Sequence, residues 1–390
     1  MKLKGLFITG LGLVGITAVV VVAQAPPPAA PAAPQQGPGV QAPADARYQE
    51  WVMSKCKVPP PPRGGGAGRG AGGAGAAQGA AAGAGAAAAG RGGGGGAPAA
   101  NPNEPPAKRD YTVNQIPGVI AGGAKWKSIW TGTGNNADGP VATKDGAMLI
   151  SQNTNSAVMK IDVNGKTSVA YKDTNTGGAV SMNKKGALFL VSRGLPASVL
   201  QLEPKRQVLA NMYNGEPFDC LGGVINDLTA DSKGGVYFTM GGLFYINPKG
   251  VVTRYGDMLT TNGVILSADE KTLYVTNSQN MSPTRGLAAF DVQTDGSLTN
   301  QRQFWAANGG DGLAIDSMGR IYMTTNGADG VAVLAPDGKL LGMIPTPLNF
   351  ITVAFSGKDK KTLFGIANNQ RFDEIFTIEM IAQGYKDRAK

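Results

Sequence analysis

Asp138, Asn226 and Asp311 each stand eight residues ahead of a glycine (Gly146, Gly234 and Gly319), and Asn262 stands nine ahead of Lys271. Each of the four opens a short apolar run. Gly178, eight before Gly186, and Thr352, nine before Lys361, open two further runs of the same kind. A single Asp-Gly or Asn-Gly pair is an ordinary turn signal. An offset repeated in six segments needs a further cause, because equivalent positions of repeats closed into a ring lie at one height around its axis. Two carboxylates and two amides converging there, completed by water, form a donor set for Ca2+ or a similar divalent cation, which takes hard oxygen ligands. Chemistry at such a centre must do without imidazole, since the chain has no His. That excludes Ser-His-Asp and Cys-His catalysis and His-ligated zinc, and leaves carboxylates, amides, Lys, Tyr or a metal held by oxygen.

The elements that would position these residues repeat as well. Six five-residue windows align without gaps: GAMLI from Gly146, GALFL from Gly186, GGVYF from Gly234, KTLYV from Lys271, GRIYM from Gly319 and KTLFG from Lys361. Their fourth residues, Leu149, Phe189, Tyr237, Tyr274, Tyr322 and Phe364, are separated by 40, 48, 37, 48 and 42 residues. Such a spacing holds about four short strands, the size of a propeller blade. Residues 262–277 show the unit most plainly, with apolar runs at 264–266 and 272–275 around a charged turn at 268–271, which reads as a β-hairpin. From Trp126 onward short apolar runs alternate with Gly, Asp, Asn and Lys, and no long amphipathic helical pattern occurs. The expectation is all-β: a six-bladed β-propeller over residues 111–390, its blades apolar on both faces because each lies between two neighbours. A β-sandwich with chance similarity is the alternative. The alternating run at 375–381 is expected to close the ring against residues 126–130, leaving 385–390 as a tail.

Ahead of the propeller, Lys2 and Lys4 precede an apolar run at residues 5–22, and small residues follow at Ala23 and Ala25. This reads as a secretory signal at 1–23 or, since the run nearly suffices to span a bilayer, as an uncleaved anchor. Either exports the rest, to the periplasm or beyond the cell, and a membrane is touched only in the second case. Residues 24–110 read as a flexible Pro/Ala/Gly-rich linker, too poor in large apolar side chains to offset the entropy of ordering. Within it Tyr48, Trp51, Val52 and Cys56 fit one face of a short helix at 46–56, and a weakly structured island fits equally. Cys56 and Cys220 match no metal or haem spacing; a disulfide between them is compatible with export, though nothing in the sequence requires it. Of the 36 Lys/Arg and 27 Asp/Glu, 10 and 4 lie before residue 111, so the propeller itself is only mildly basic. No Arg/Lys cluster interleaves with aromatics, and dispersed surface charge is preferred to nucleic-acid binding.

Asp138–Gly139–Pro140–Val141, Ile225–Asn226–Asp227–Leu228, residues 262–275 and residues 311–316 together resemble the senescence-marker-protein/gluconolactonase/luciferin-regenerating-enzyme-like family, over roughly 126–381. The resemblance implies a six-bladed propeller with one divalent cation in its channel, and commonly lactone hydrolysis. It implies metal ligation by Asp138, Asn262 and Asp311, with Asn226 beside metal and substrate. Four positions depart from the family's pattern. Asp138 stands where Glu is usual, Val224 where sugar-lactone members often have Arg, Met240 where Asp often ends the motif begun by Phe238–Thr239, and Thr261 where Pro precedes Asn262. The function implied is an exported, metal-dependent hydrolase of a lactone or small ester, with calcium ahead of zinc, manganese or magnesium. Asp311 would orient or deprotonate the attacking water, and Asp227 would support the ligands or cap a turn. The alternative is a propeller that binds a ligand or partner without turnover around a structural metal, which Val224 and Met240 favour.

Overall fold

The computed structural model describes residues 46–60, 107–133, 137–325, 330–368 and 372–387; the expected signal at 1–23 and most of the linker at 24–110 lie outside them. Each hairpin of the repeat turns at a residue with positive φ. Gly146, Gly186, Gly234 and Gly319 adopt 85°, 84°, 99° and 77°, while Glu270 and Lys360 adopt 58° and 54°. All six lie eight residues after their ring positions. The offsets of nine counted to Lys271 and Lys361 therefore record one extra turn residue on the far side. Ser267 N–H bonds the carbonyl of Thr272, five residues on, where Asn183 and Asp316 reach Ala187 and Arg320, four on. Side chains hold these turns: Asp231 Oδ1 accepts from the backbone of Lys233 and Gly235, both at 2.8 Å, as Asx residues do in tight turns.

Among the described residues the strands form six four-stranded antiparallel sheets and one short hairpin. Blade 1 begins with strand Ala137–Ala142, blade 2 with Gly177–Met182, blade 3 with Leu228–Ala230, blade 4 with Thr261–Leu266, blade 5 with Gly310–Ile315 and blade 6 with Phe350–Ser356. The outermost strand of blade 6 comes from the start of the domain: Lys127–Thr133 pairs with Phe372–Glu379, which joins the two ends of the chain across one sheet. This is the expected closure. Burial falls from inside to outside, as in blade 1, where Met148–Gln152 is wholly buried and Thr167–Tyr171 mostly exposed. All six residues at the fourth window position are buried between blades. Their burial is worth about 1.5–3 kcal/mol each, and two of the three tyrosine hydroxyls find carbonyl or carboxylate acceptors, Tyr237 donating to Gly296 O and Tyr322 to Asp316 Oδ2.

At the ring positions the ladder slips. The register breaks between Asp138 and Val141, Gly177 and Val180, Thr261 and Val264, Gly310 and Leu313, and Phe350 and Thr352. A bulge re-aims a side chain out of the alternation of its strand. The glycine that follows three of the ring residues, Asp138, Asn262 and Asp311, is a packing requirement. A Cβ on Gly139 would lie 2.2 Å from Ala179, one on Gly263 2.2 Å from Asp311 O, and one on Gly312 2.1 Å from Thr352 Oγ1. In each case the clash is with the next blade's inner strand.

Outside the blades, helix Ala46–Lys55 buries Tyr48, Val52 and, just past its end, Cys56, and leaves Met53 exposed. Cys56 forms a disulfide with Cys220, which lies in the 3-10 turn Phe218–Leu221 between blades 2 and 3. Residues 107–110, assigned to the linker on composition, run along blade 6, where Arg109 N–H bonds Pro347 O and its guanidinium reaches Asn349 and Thr346. The expected tail is also docked in part: Tyr385 N–H bonds Ile315 O and Lys360 Nζ bonds Tyr385 O. No described helix is long and apolar enough to cross a membrane.

Candidate functional site

The polar ring residues are joined by one line of contacts. Asn262 hydrogen-bonds the carboxyl of Asp311. Asn262 Oδ1 accepts from Asn226 Nδ2 at 2.6 Å, and Asn226 Oδ1 accepts from Arg193 Nη2 at 2.5 Å. The same Nη2 lies 3.3 Å from Asp138 Oδ2. All four residues singled out by spacing thus meet, Asp138, Asn262 and Asp311 at the bulged ends of their inner strands and Asn226 two residues ahead of strand Leu228–Ala230, and a fifth residue, Arg193, completes the set. The other two ring positions, Gly178 and Thr352, bring no charge; Thr352 is buried against Gly312.

Arg193 follows strand Leu188–Ser192 and enters the ring through the gap that Gly178 leaves. A Cβ on Gly178 would stand 2.5 Å from Arg193 Nε and 2.8 Å from its Cζ. The guanidinium is fixed further by Nε, which donates to Ile225 O at 3.1 Å. Its loop is pinned in turn, since Asp219 Oδ2 accepts from Ala197 N at 2.9 Å and the neighbouring Cys220 carries the disulfide.

Asp227 plays a supporting part. Its Oδ1 accepts from Leu228 N at 2.8 Å and its Oδ2 from Val264 N at 2.9 Å, which ties blade 3 to blade 4 directly behind Asn262. The carboxyl of Asp311 is held well above the usual carboxylate range, first by burial and then by the negative charges of Asp138 and Asp227; Arg193 and the bond from Asn262 oppose this. The part of this shift that comes from the charges of Asp138 and Asp227 favours a bound cation as it favours a proton. Two carboxylates, a third within electrostatic reach and amide oxygens are moreover the donors of a hard divalent ion. The residues therefore fit the implied group, with Asp138, Asn262 and Asp311 able to hold it. A second trio with ligand-type atoms, Cys56, Glu216 and Cys220, does not fit one, because its sulfurs are bonded to each other.

Residues 136–366, which include every ring position, match the model of the SMP-30/gluconolactonase/LRE-like region. The protein belongs to the SMP-30/gluconolactonase/LRE-like family. Among its relatives, lactonase drp35 of Staphylococcus haemolyticus is 28% identical over 239 residues, 55% of this chain and 70% of the relative. The gluconolactonase of Zymomonas mobilis is 29% identical over 210 residues, 46% of this chain and 57% of the relative. The fold matches a gluconolactonase from Xanthomonas campestris with a TM-score of 0.59 at 20% identity, covering 72% of this chain and 99% of that one. It matches regucalcin from Agrobacterium tumefaciens, described as a calcium-binding protein, with a TM-score of 0.51 at 16% identity, covering 65% and 95%. Against the family's pattern, Val224 is half-exposed on the connection that leads to Asn226, while Met240 is buried, with its carbonyl packed on Gly223. Sequence reasoning missed Arg193, whose one trace is the absence of a side chain at Gly178.

Proposed function

We propose that this protein is an exported hydrolase of a lactone or small ester that works with one divalent cation, calcium ahead of zinc, manganese or magnesium. The observation that carries the reading is the meeting of Asp138, Asn226, Asn262 and Asp311 in a centre without imidazole, where the Asp311 carboxyl is pushed up by burial and by its acidic neighbours. The lactonase and gluconolactonase relatives support the substrate class, and the calcium-binding neighbour supports the ion.

Bound by Asp138, Asn262 and Asp311, the ion would supply Lewis-acid polarisation of the scissile carbonyl. Asp311 orients a water and accepts its proton as the water oxygen attacks the carbonyl carbon. When the ring C–O bond breaks, the same proton passes to the departing alkoxide, and the product is a hydroxy acid. Asn226, held by Arg193 on one side and Asn262 on the other, fixes the carbonyl against the attacking water; such pre-set geometry lowers the barrier because nothing reorganises during the reaction. For export, the support is the basic start and apolar run at residues 2–22 together with the Cys56–Cys220 disulfide, a bond that persists in oxidising compartments. A second reading, a propeller that binds a small ligand without turnover, is favoured by Met240, which brings an apolar side chain where a carboxylate is usual in the family.

A titrimetric assay over a panel of lactones and esters, with and without chelator, separates the two. Chelator-sensitive hydrolysis that is lost in Asp311→Asn supports the enzyme. Absence of hydrolysis by the wild type, or full activity in Asp311→Asn, overturns it in favour of the binding reading.

A further inference from the structure

Arg193 is more than a strut between blades. Of its guanidinium nitrogens, Nε is committed to Ile225 O and Nη2 to Asn226 and Asp138, whereas Nη1 donates to no atom of the described residues. The side chain keeps 12% of its surface open to solvent. An arginine fixed at two nitrogens with the third uncommitted is a pre-oriented donor, since the planar fork leaves no rotation to be lost when a ligand oxygen arrives. The charges at the ring point to what that oxygen carries. Asp138, Asp227 and Asp311 bring three carboxylates to the centre. One divalent cation offsets two of these charges, and Arg193 offsets the third. Without the guanidinium the loaded centre would repel an anion; with it, the centre is neutral and offers an N–H donor to a negatively charged oxygen.

We propose that Arg193 is a specificity-determining residue that selects lactones bearing a carboxylate on the ring carbon next to the ring oxygen, with Nη1 donating a charge-assisted hydrogen bond to that carboxylate. This rests on the hydrolase reading for the word lactone, but not for the binding itself. Gly178 is part of the same device, because any larger residue there would push the guanidinium out of line.

The test uses paired probes that cannot be hydrolysed in this way. The γ-lactam 5-oxoproline carries a carboxylate on its ring, and its carboxamide is the uncharged counterpart. Titration calorimetry on the full chain in calcium is expected to show wild type preferring the acid over the amide. In Arg193→Gln the acid-to-amide affinity ratio should fall by about 10- to 100-fold, the worth of a hydrogen bond to a charged group. Arg193→Lys should restore part of it. The corresponding γ-lactone acid and amide, followed by titration of released protons, should show the same ratio in KM. Equal affinity of wild type for acid and amide overturns the proposal whether or not any variant folds, as does an unchanged ratio in a folded Arg193→Gln. If the lactam acid is preferred through Arg193 while neither lactone is hydrolysed, the selectivity stands and the hydrolase reading falls.

Discussion

Asp311 has the carboxyl whose chemistry depends most on its surroundings. Its affinity for a proton is raised by burial and by Asp138 and Asp227, so in chelator the folded protein binds that proton more tightly than the unfolded chain does. The contribution to stability is then complete below the ordinary value of 3.8 and is lost as pH rises through the raised folded value. Asp311→Asn removes this loss. Measured in chelator at pH 7–8, its melting temperature is expected to exceed that of wild type by a few degrees and to vary less with pH, with the order reversed in calcium, which stabilises only the intact site. The same substitution should lower kcat by about 10²- to 10⁴-fold, the usual loss for a missing general base. Asp138, Asn226, Asn262 and Asp311 were legible in the sequence because a constant offset survives in every repeat. Arg193 was not, because its place just after a second strand has no repeated chemistry: the matching residues are Asn153, Met240 and Ser278. A ring residue can be read from repetition, and a residue that breaks the repetition has to be seen in space.

The inner strands convert that spacing into geometry through a bulge and a glycine. The bulge turns the polar residue inward, and the glycine lets the next blade approach. At Gly312 an added Cβ would meet Thr352 at 2.1 Å from Oγ1 and 2.6 Å from Cα, and backbone cannot swing aside as a flexible side chain does. Gly312→Ala is therefore expected to destabilise by about 1–3 kcal/mol, the usual cost of overpacking, seen as a lower urea midpoint with an unchanged slope, and to weaken calcium binding because Asp311 is the preceding residue. A single Asp-Gly or Asn-Gly pair reads as a turn; the glycines at 139, 263 and 312 are explained by contact between blades, which no single segment reveals. The docking of helix Ala46–Lys55 was undecidable for a related reason, since its partner surface lies more than 160 residues away across the Cys56–Cys220 bond. That surface belongs to an insertion, residues 211–222, which also accounts for the long interval of 48 between Phe189 and Tyr237. Cys56→Ser should release the helix and remove about 2–4 kcal/mol of stabilisation, read as faster amide exchange at residues 46–56 and 218–222.

At the scale of the whole molecule the ring is closed twice, by different segments and at different places. The pairing of Lys127–Thr133 with Phe372–Glu379 closes it along the rim, as the alternating pattern at 375–381 foretold. The second closure is a strap across the hairpin turns, formed by Gln383 and Gly384 together with Tyr385, the first residue of the expected tail at 385–390. Ser317 N–H bonds Gln383 O, Gly384 N–H bonds Lys360 O, Tyr385 N–H bonds Ile315 O, and Lys184 from blade 2 places its ammonium 5.8 Å from the Tyr385 ring. Its sequence carried no signal because these are backbone bonds made to residues from several blades, and no local pattern encodes them. Ile315 ends the strand that Gly310 begins, so the strap and Asp311 lie at opposite ends of the same inner strands. Ending the chain after Met380 deletes at least these three backbone bonds, each worth about 0.5–1.5 kcal/mol net, and uncovers the turns of blades 5 and 6. The truncated protein is expected to melt at a lower temperature and to exchange amide protons faster at residues 315–317 and 360, while its calcium affinity by calorimetry stays within about twofold of the full chain, since no ligand has moved. A loss of calcium binding equal to the loss of stability would mean that the ring responds to its ends as one unit, and that the strap at the turns helps to set the metal geometry at the far end of the channel.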